Sequence, residues 1–163
     1  MIQRSTYYDS PVGTLKISSE GNYLTELILA ERPAESKVQD SDYLNFAIEQ
    51  LEQYFKKERN IFDLNIKFNK GTDFQKSIWN ALLQIPYGQT LSYAKVAAGI
   101  GNPKAVRAVG SAIGANPVSI IIPCHRVIGS DGSLTGFAWG LEVKKKLLDL
   151  EKEKLYGIQE KLC

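Results

Sequence analysis

The residues best equipped for chemistry in this chain sit together, at Cys124, His125 and Arg126. A thiolate is a strong nucleophile, but an apolar setting keeps the thiol protonated unless a base or a cation compensates. His125, the sole histidine of the 163 residues, is such a base, and Arg126 is a fixed positive charge. The three follow Ile120-Ile121-Ile122-Pro123, a short β-branched run that reads as buried and that the proline ends. Adjacent side chains on an extended strand point to opposite faces. Cys124 and His125 can therefore share a site only if the backbone turns, which the preceding proline favours. A lone Cys after three Ile is most simply a small buried hydrophobe. The adjoining His and Arg put a functional reading ahead of that one.

The elements that must position this cluster can be read from the pattern around it. Residues 6–29 read as a β-meander, with turns at Asp9-Ser10-Pro11-Val12-Gly13 and Glu20-Gly21-Asn22. Glu31 to Asp40, broken by Pro33, reads as a polar loop. Leu44, Ala47, Ile48, Leu51 and Phe55 have helical spacing, and the charge run Lys56-Lys57-Glu58-Arg59 marks the end of that helix. Leu64, Ile66 and Phe68 alternate, which predicts a further strand over Ile61 to Phe68. Asn69-Lys70-Gly71-Thr72 marks a boundary, giving an N-terminal domain of residues 1–71 and a C-terminal domain of 72–163.

Beyond it the pattern is helical. Phe74, Ile78, Ala81 and Leu82 form one apolar face, with Trp79 read as core, and Pro86-Tyr87-Gly88 stops the helix. Thr90-Leu91-Ser92 caps a short helix from Tyr93 to Ala98, and a second begins with Pro103 at its first position and runs to about Gly114. Two short helices joined by a tight turn outline a helix-turn-helix. The second is small-residue rich, with Ala105, Ala108, Gly110, Ser111 and Ala112, and carries almost nothing able to read base edges. Such a helix suits either ordinary core packing or close, sequence-independent approach to a duplex through the minor groove. Arg107 is its one long planar cation. A last helix starts near Glu142, with Leu147, Leu148 and Leu155 inward and Lys144-Lys145-Lys146 solvated, and Glu151 falls near its end.

Composition bounds the function. The chain lacks any apolar run of the roughly 20 residues a membrane span requires, and its start leads into no signal-peptide core, so a cytoplasmic protein without membrane association is expected. Two cysteines, one of them Cys163, make no disulfide framework, and with a single histidine they leave a structural metal site without ligands. The net charge of +2 hides an asymmetry: residues 1–70 hold nine basic and eleven acidic side chains, residues 71–163 eleven and seven. The basic excess lies with the Cys-His cluster and mildly favours a polyanionic partner.

Arg107-Ala108-Val109-Gly110, Gly114-Ala115-Asn116-Pro117-Val118, Ile121-Ile122-Pro123-Cys124-His125-Arg126-Val127-Ile128-Gly129 and Leu134-Thr135-Gly136 together closely resemble the O6-alkylguanine-DNA alkyltransferase family, over roughly Phe74 to Leu150. The resemblance implies a small N-terminal α/β domain, an antiparallel sheet plus a helix, followed by a mainly helical C-terminal domain with a winged helix-turn-helix. It implies direct repair of DNA, with the alkyl group of O6-alkylguanine moved irreversibly to Cys124 in a single turnover, and O4-alkylthymine as a further candidate substrate. The partner would be double-stranded DNA containing the lesion, bound by a monomer without sequence preference.

The same resemblance assigns roles. His125, held by Glu151 and working through a water, would take the thiol proton. Tyr93 would supply or stabilise the proton on the departing guanine, and Asn116 would brace the backbone at the site. Val127 with Phe137, Ala138 and Trp139 would line the pocket, while Arg126 orients rather than reacts. Arg107 aligns with the arginine that replaces the extruded base in the stack, and Ser92, Ala105, Ala108, Gly110 and Ser111 would lie on the DNA face. A thioether product resists thiol exchange, so no regeneration and no cofactor are expected; no glycine-rich strand-to-helix loop offers a nucleotide or S-adenosylmethionine site.

The pocket loop departs from the common family pattern. Ala138 offers no hydroxyl, and Trp139 brings a large ring, so acceptance of a benzyl adduct should be weaker than of methyl. Three rivals are weaker. A damage-binding relative without chemistry would lack the thiol, and a regulator would need a helix that reads bases. A Cys-His hydrolase would draw its nucleophile and base from separate parts of the chain.

Overall fold

The computed structural model describes residues 2–35, 39 and 41–162, with side chains through Lys152. Part of the Glu31 to Asp40 loop, Cys163 and the side chain of Leu155 thus lie outside the described set. Contacts divide the chain into two units, Met1–Asn69 with Pro117–Ser119, and Lys70–Asn116 with Ile120–Cys163. The return at Pro117–Ser119 is not part of a sequence reading with a single cut after Gly71.

The first unit is built on an antiparallel meander, β1 (Gln3–Ser10), β2 (Gly13–Glu20) and β3 (Tyr23–Leu29), in that spatial order. Helix α1 (Asp42–Phe55) is N-capped by Ser41, whose hydroxyl accepts from Leu44 N at 3.4 Å, and it contacts β1 and β2. Leu44, Ala47 and Leu51 are buried with Leu15, Ile17, Leu24 and Leu27. Ile48 and Phe55 are only half-buried, and Tyr54 and Gln50 take the inward positions beside them.

The segment expected as a strand over Ile61 to Phe68 is extended but forms only an isolated parallel bridge, Leu24 with Ile66. Side chains of α1 have taken its backbone groups. Gln50 Oε1 accepts from Asp63 N at 2.8 Å and its Nε2 donates to Asp63 O at 3.1 Å, while Asn65 N donates to the Tyr43 hydroxyl at 2.8 Å. A buried backbone group needs a partner but not a strand partner. The remaining groups on the β3 edge pair with the returning chain, Leu27 N donating to Pro117 O at 2.8 Å and Ser119 N to Leu27 O at 3.0 Å.

In the second unit, α2 (Asp73–Leu82) opens with a reciprocal capping box between Thr72 and Gln75. Gly71, at φ 113°, precedes it, and a Cβ there would stand 2.6 Å from the Trp79 ring, so no other residue fits. Trp79 is 2% exposed, and its indole N–H donates to Ala112 O at 2.8 Å, tying α2 to the later helix that carries Ala112. The helix-turn-helix is α3 (Tyr93–Gly99) followed by α4 (Val106–Gly114). Helix α4 starts three residues later than the sequence suggests. Pro103 follows Asn102 in a turn closed by Ala105 N donating to Asn102 O at 3.0 Å, so its fixed φ serves the turn rather than the first helical position. The two-residue strands β4 (Leu91–Ser92) and β5 (Val127–Ile128) pair in parallel, and α5 spans Leu141–Leu162. Among the described residues no helix is long and apolar enough to cross a membrane.

Candidate active site

Cys124 lies where the backbone reverses. Pro123, at φ −80° and ψ 65°, is the centre of an inverse γ-turn in which Cys124 N donates to Ile122 O at 2.7 Å. A single 3₁₀ turn over Cys124–Arg126 follows, Arg126 N bonding to Pro123 O at 3.0 Å. These two turns replace the extended geometry that would have sent the adjacent side chains to opposite faces. Asn116 Nδ2 also donates to Ile122 O, at 2.8 Å, so that one carbonyl holds both the turn and the Asn116 side chain.

Cys124, His125 and Arg126 are 4%, 0% and 7% exposed. Helix α5 brings Glu151 to them, itself 1% exposed. Glu151 Oε2 lies 2.6 Å from His125 Nε2, and Arg126 grips the same carboxylate with two donors, Nε to Oε1 at 2.8 Å and Nη2 to Oε2 at 3.1 Å. Gly88 N is a second donor to Oε1, at 3.2 Å, and Arg126 Nη1 donates to Ile85 O at 2.7 Å. Arg126 also faces the Tyr87 ring at 5.7 Å. Every oxygen of the buried carboxylate is thus claimed, as a buried ion pair requires.

The charges follow from this packing. Burial pushes the Glu151 carboxyl up, but His125 and Arg126 outweigh it and hold the group well below the usual carboxylate range. Burial lowers the His125 imidazole, with Arg126 and Lys144 adding to it, and the pull of Glu151 does not restore it. The direction for His125 is the neutral form, since Arg126 already satisfies the carboxylate charge. Neutral His125 then donates from Nε2 to Glu151, which leaves Nδ1, buried and without a hydrogen-bond partner, as the basic nitrogen. Burial and the Glu151 carboxylate push the Tyr87 phenol up to about 12, so it stays protonated.

On another side stands Tyr93, the first residue of α3, half-buried. Its hydroxyl donates to Thr135 O at 2.9 Å, with Gly136 O at 3.2 Å, which ties the loop before α5 to α3. Burial raises its phenol, and a Cys124 thiolate raises it further. Val127 is fully buried beneath the turn. Phe137 and Trp139 meet edge to face, with centroids 6.1 Å apart, and Ala138 between them is exposed. Trp139 therefore rests on a neighbouring ring of its own loop.

The small-residue helix splits between two faces. Val109, Ala112 and Ile113 are buried, while Arg107, Ala108 and Ser111 are exposed, and Gly110 lies against the Tyr93 ring, 4.0 Å from where a Cβ would sit. Ala105 is the N-cap residue of α4 and offers no side-chain cap. The Ser92 hydroxyl is engaged as the cap of α3, accepting from Lys95 N at 3.1 Å. A separate cavity of about 450 Å³ is lined by Gly88, Thr90, Ile128, Leu134, Leu148 and Glu151; neither Cys124 nor Tyr93 borders it.

One residue of the site escaped the sequence reading. Lys144, expected in a solvated charge run, is fully buried, its Nζ donating to Thr135 O at 2.9 Å and lying 5.6 Å from the Tyr93 ring centre. Helical spacing holds the signal that could have found it, because 144, 147 and 151 share one face and Leu147 and Glu151 are both buried. Lys145 and Lys146 are exposed as expected.

Comparison with known proteins places this arrangement. The family model described as the 6-O-methylguanine DNA methyltransferase DNA binding domain matches residues 73–153, and the one described as the ribonuclease-like domain of the same methyltransferase matches residues 4–68. The methylated-DNA–protein-cysteine methyltransferase of Mycobacterium tuberculosis H37Rv is 46% identical over 150 residues, covering 90% of each chain. The inducible enzyme of that name from Bacillus subtilis is 48% identical over 143 residues, 86% of this chain and 79% of its own. The crystal structure of Mycobacterium tuberculosis OGT in complex with DNA superposes with a TM-score of 0.85 at 45% identity, covering 93% of this chain and 94% of its own. An N-terminal sheet and helix, a helical C-terminal unit with a helix-turn-helix, and sequence identity at this level lead to one conclusion: the chain belongs to the 6-O-methylguanine DNA methyltransferase family.

Proposed function

We propose that the protein repairs DNA by transferring the alkyl group of O6-alkylguanine to its own Cys124, once per molecule. The observation that carries this reading is the Cys124, His125, Glu151 series, in which a buried acceptor thiol adjoins a histidine oriented by an ionised carboxylate. The reading is supported by the names of relatives, methylated-DNA–protein-cysteine methyltransferases, and by a homologous structure described in complex with DNA.

The sequence of steps follows from the side chains. The lesion lies inside a base pair, so the nucleotide is extruded at a cost of a few kcal/mol, reduced where alkylation has weakened the pairing. Arg107, exposed near the start of α4, fills the gap in the stack, and the exposed Ala108 and Ser111 let the helix approach the minor groove. His125 Nδ1 accepts the thiol proton through a water, and the Glu151 carboxylate stabilises the imidazolium that forms. The thiolate attacks the alkyl carbon, the carbon–O6 bond breaks with its electron pair, and guanine leaves with a proton from the Tyr93 hydroxyl, which is reprotonated from solvent as His125 releases the thiol proton. Asn116 and Arg126 do not react: Asn116 holds the turn through the Ile122 carbonyl, and Arg126 holds Glu151.

The product thioether has no leaving group, so the protein is consumed. A thiol that must stay reduced for such use fits a reducing compartment, and a cytoplasmic setting is part of the proposal. Incubation with a duplex carrying labelled O6-methylguanine should bring label onto protein up to one methyl per chain and then stop. Catalytic turnover, or equal labelling of Cys124→Ser, would overturn the reading.

A further inference from the structure

From Phe74 to Ser130 the sequence holds no aspartate and no glutamate, while it holds Lys76, Lys95, Lys104, Arg107 and Arg126. Arg126 is buried and paired with Glu151. Lys95, Lys104 and Arg107 are exposed, and none of them forms an ion pair among the described residues. In the first unit the pattern differs: Lys16 lies 3.2 Å from Glu26, and Lys67 lies 2.8 Å from Glu20.

The three exposed cations all belong to the helix-turn-helix. Lys104 lies in the turn before α4 and Arg107 on α4, the helix placed toward the minor groove above. Lys95 stands apart, on α3, and is the only charged residue of that helix. The other exposed positions of α3 are Ala94, Ala98 and Gly99, so its ammonium rises from a surface with no other long side chain. A helix face turned only to water is ordinarily set with several polar and charged residues. A surface of one sign, with no carboxylate to cancel it, attracts a polyanion instead.

Resting on the alkyl-transfer reading, which brings a duplex to α4, we propose that α3 lies across the duplex backbone and that Lys95 is its phosphate contact. In a helix-turn-helix the first helix crosses the backbone while the second meets the groove. A phosphate contact fixes orientation and carries no sequence information, as suits a protein that must meet a lesion in any surroundings. It also releases condensed counter-ions, which makes its share of the affinity depend on salt. The same helix carries Tyr93, whose hydroxyl holds the pocket loop at Thr135 O, so seating α3 on the backbone also places Tyr93 beside the duplex.

Two substitutions separate a local contact from net charge. Lys95→Gln removes the α3 charge and keeps a good helix former, whereas Lys16→Gln removes the same charge from the first unit, and circular dichroism establishes that each is folded. Binding of an undamaged duplex, read by fluorescence anisotropy over about 50–200 mM salt, gives the slope of log K against log salt. Lys95→Gln should flatten that slope by about 0.9, the release that accompanies one phosphate contact, and Lys16→Gln should keep the wild-type slope. A Lys95→Gln slope equal to that of wild type, or an equal flattening in Lys16→Gln, overturns the proposal, as does a wild type that does not bind the undamaged duplex. Should wild-type protein take no methyl from a duplex with the lesion, the function falls, while the salt slopes still decide the phosphate contact.

Discussion

His125 Nε2 and Glu151 Oε2 lie 2.6 Å apart, and both residues are sealed from solvent, at 0% and 1% exposure. The carboxylate at the centre of this contact serves two neighbours. It fixes the histidine tautomer, and it neutralises Arg126, which would otherwise be a buried, unpaired cation.

Glu151→Gln should therefore fail twice. Loss of the charge leaves Arg126 buried without its partner, a cost of about 3–5 kcal/mol by the behaviour of broken buried pairs. Loss of the negative charge that stabilises the His125 imidazolium should slow alkyl transfer by on the order of 10²–10⁴. Urea unfolding and single-turnover transfer measure the two effects separately, and a variant with wild-type stability would show that Arg126 finds another partner.

Acidification should destabilise the fold. Glu151 and His125 both have folded-state values held below their ordinary ones. The unfolded chain therefore binds protons first as pH falls, and stability declines from below about 6.5, the ordinary histidine value, and faster below about 4.3, the ordinary glutamate value. Melting temperatures from pH 8 to pH 4 test this, and Glu151→Gln should flatten the lower part of the curve.

Asn116→Ala removes one of two donors on the Ile122 carbonyl, and the other, Cys124 N at 2.7 Å, remains. The stability loss should be modest, about 1 kcal/mol. Transfer should suffer more, because the turn that aims Cys124 loses its brace. A denaturation midpoint near that of wild type combined with a clearly slower reaction is the expected pattern.

Trp139 rests edge to face on Phe137, at 6.1 Å, so its bulk is held within the pocket loop. Trp139→Gly should raise the rate with O6-benzylguanine relative to O6-methylguanine. Equal benzyl rates in wild type and variant would remove Trp139 from the account of adduct size.

The periodic elements were legible because burial follows spacing: the three-strand meander, α1, α2 and α5 all answer to apolar repeats in the sequence. The Cys-His-Arg cluster was legible because its residue types are rare and adjacent. Ile61 to Phe68 was not, since its alternation is genuine but Gln50 and Tyr43 of α1 take the backbone groups a neighbouring strand would have used. Pro103 misled because its φ suits a turn as well as a first helical turn. Lys144 was hidden inside a run of three lysines whose other two members are exposed, and only its position relative to Leu147 and Glu151 sets it apart. The grip of Arg126 on Glu151 joins residues 25 positions apart, which no local pattern reports.

Every role proposed in the reaction depends on Cys124 accepting an alkyl group from DNA. An intact mass spectrum after incubation with a duplex containing O6-methylguanine, followed by peptide mapping, decides this. The expected result is a gain of one CH2 confined to the Cys124 peptide and absent in Cys124→Ser. A protein that binds the duplex with its mass unchanged would contradict it, and the roles of His125, Glu151 and Tyr93 in the reaction would fall with it.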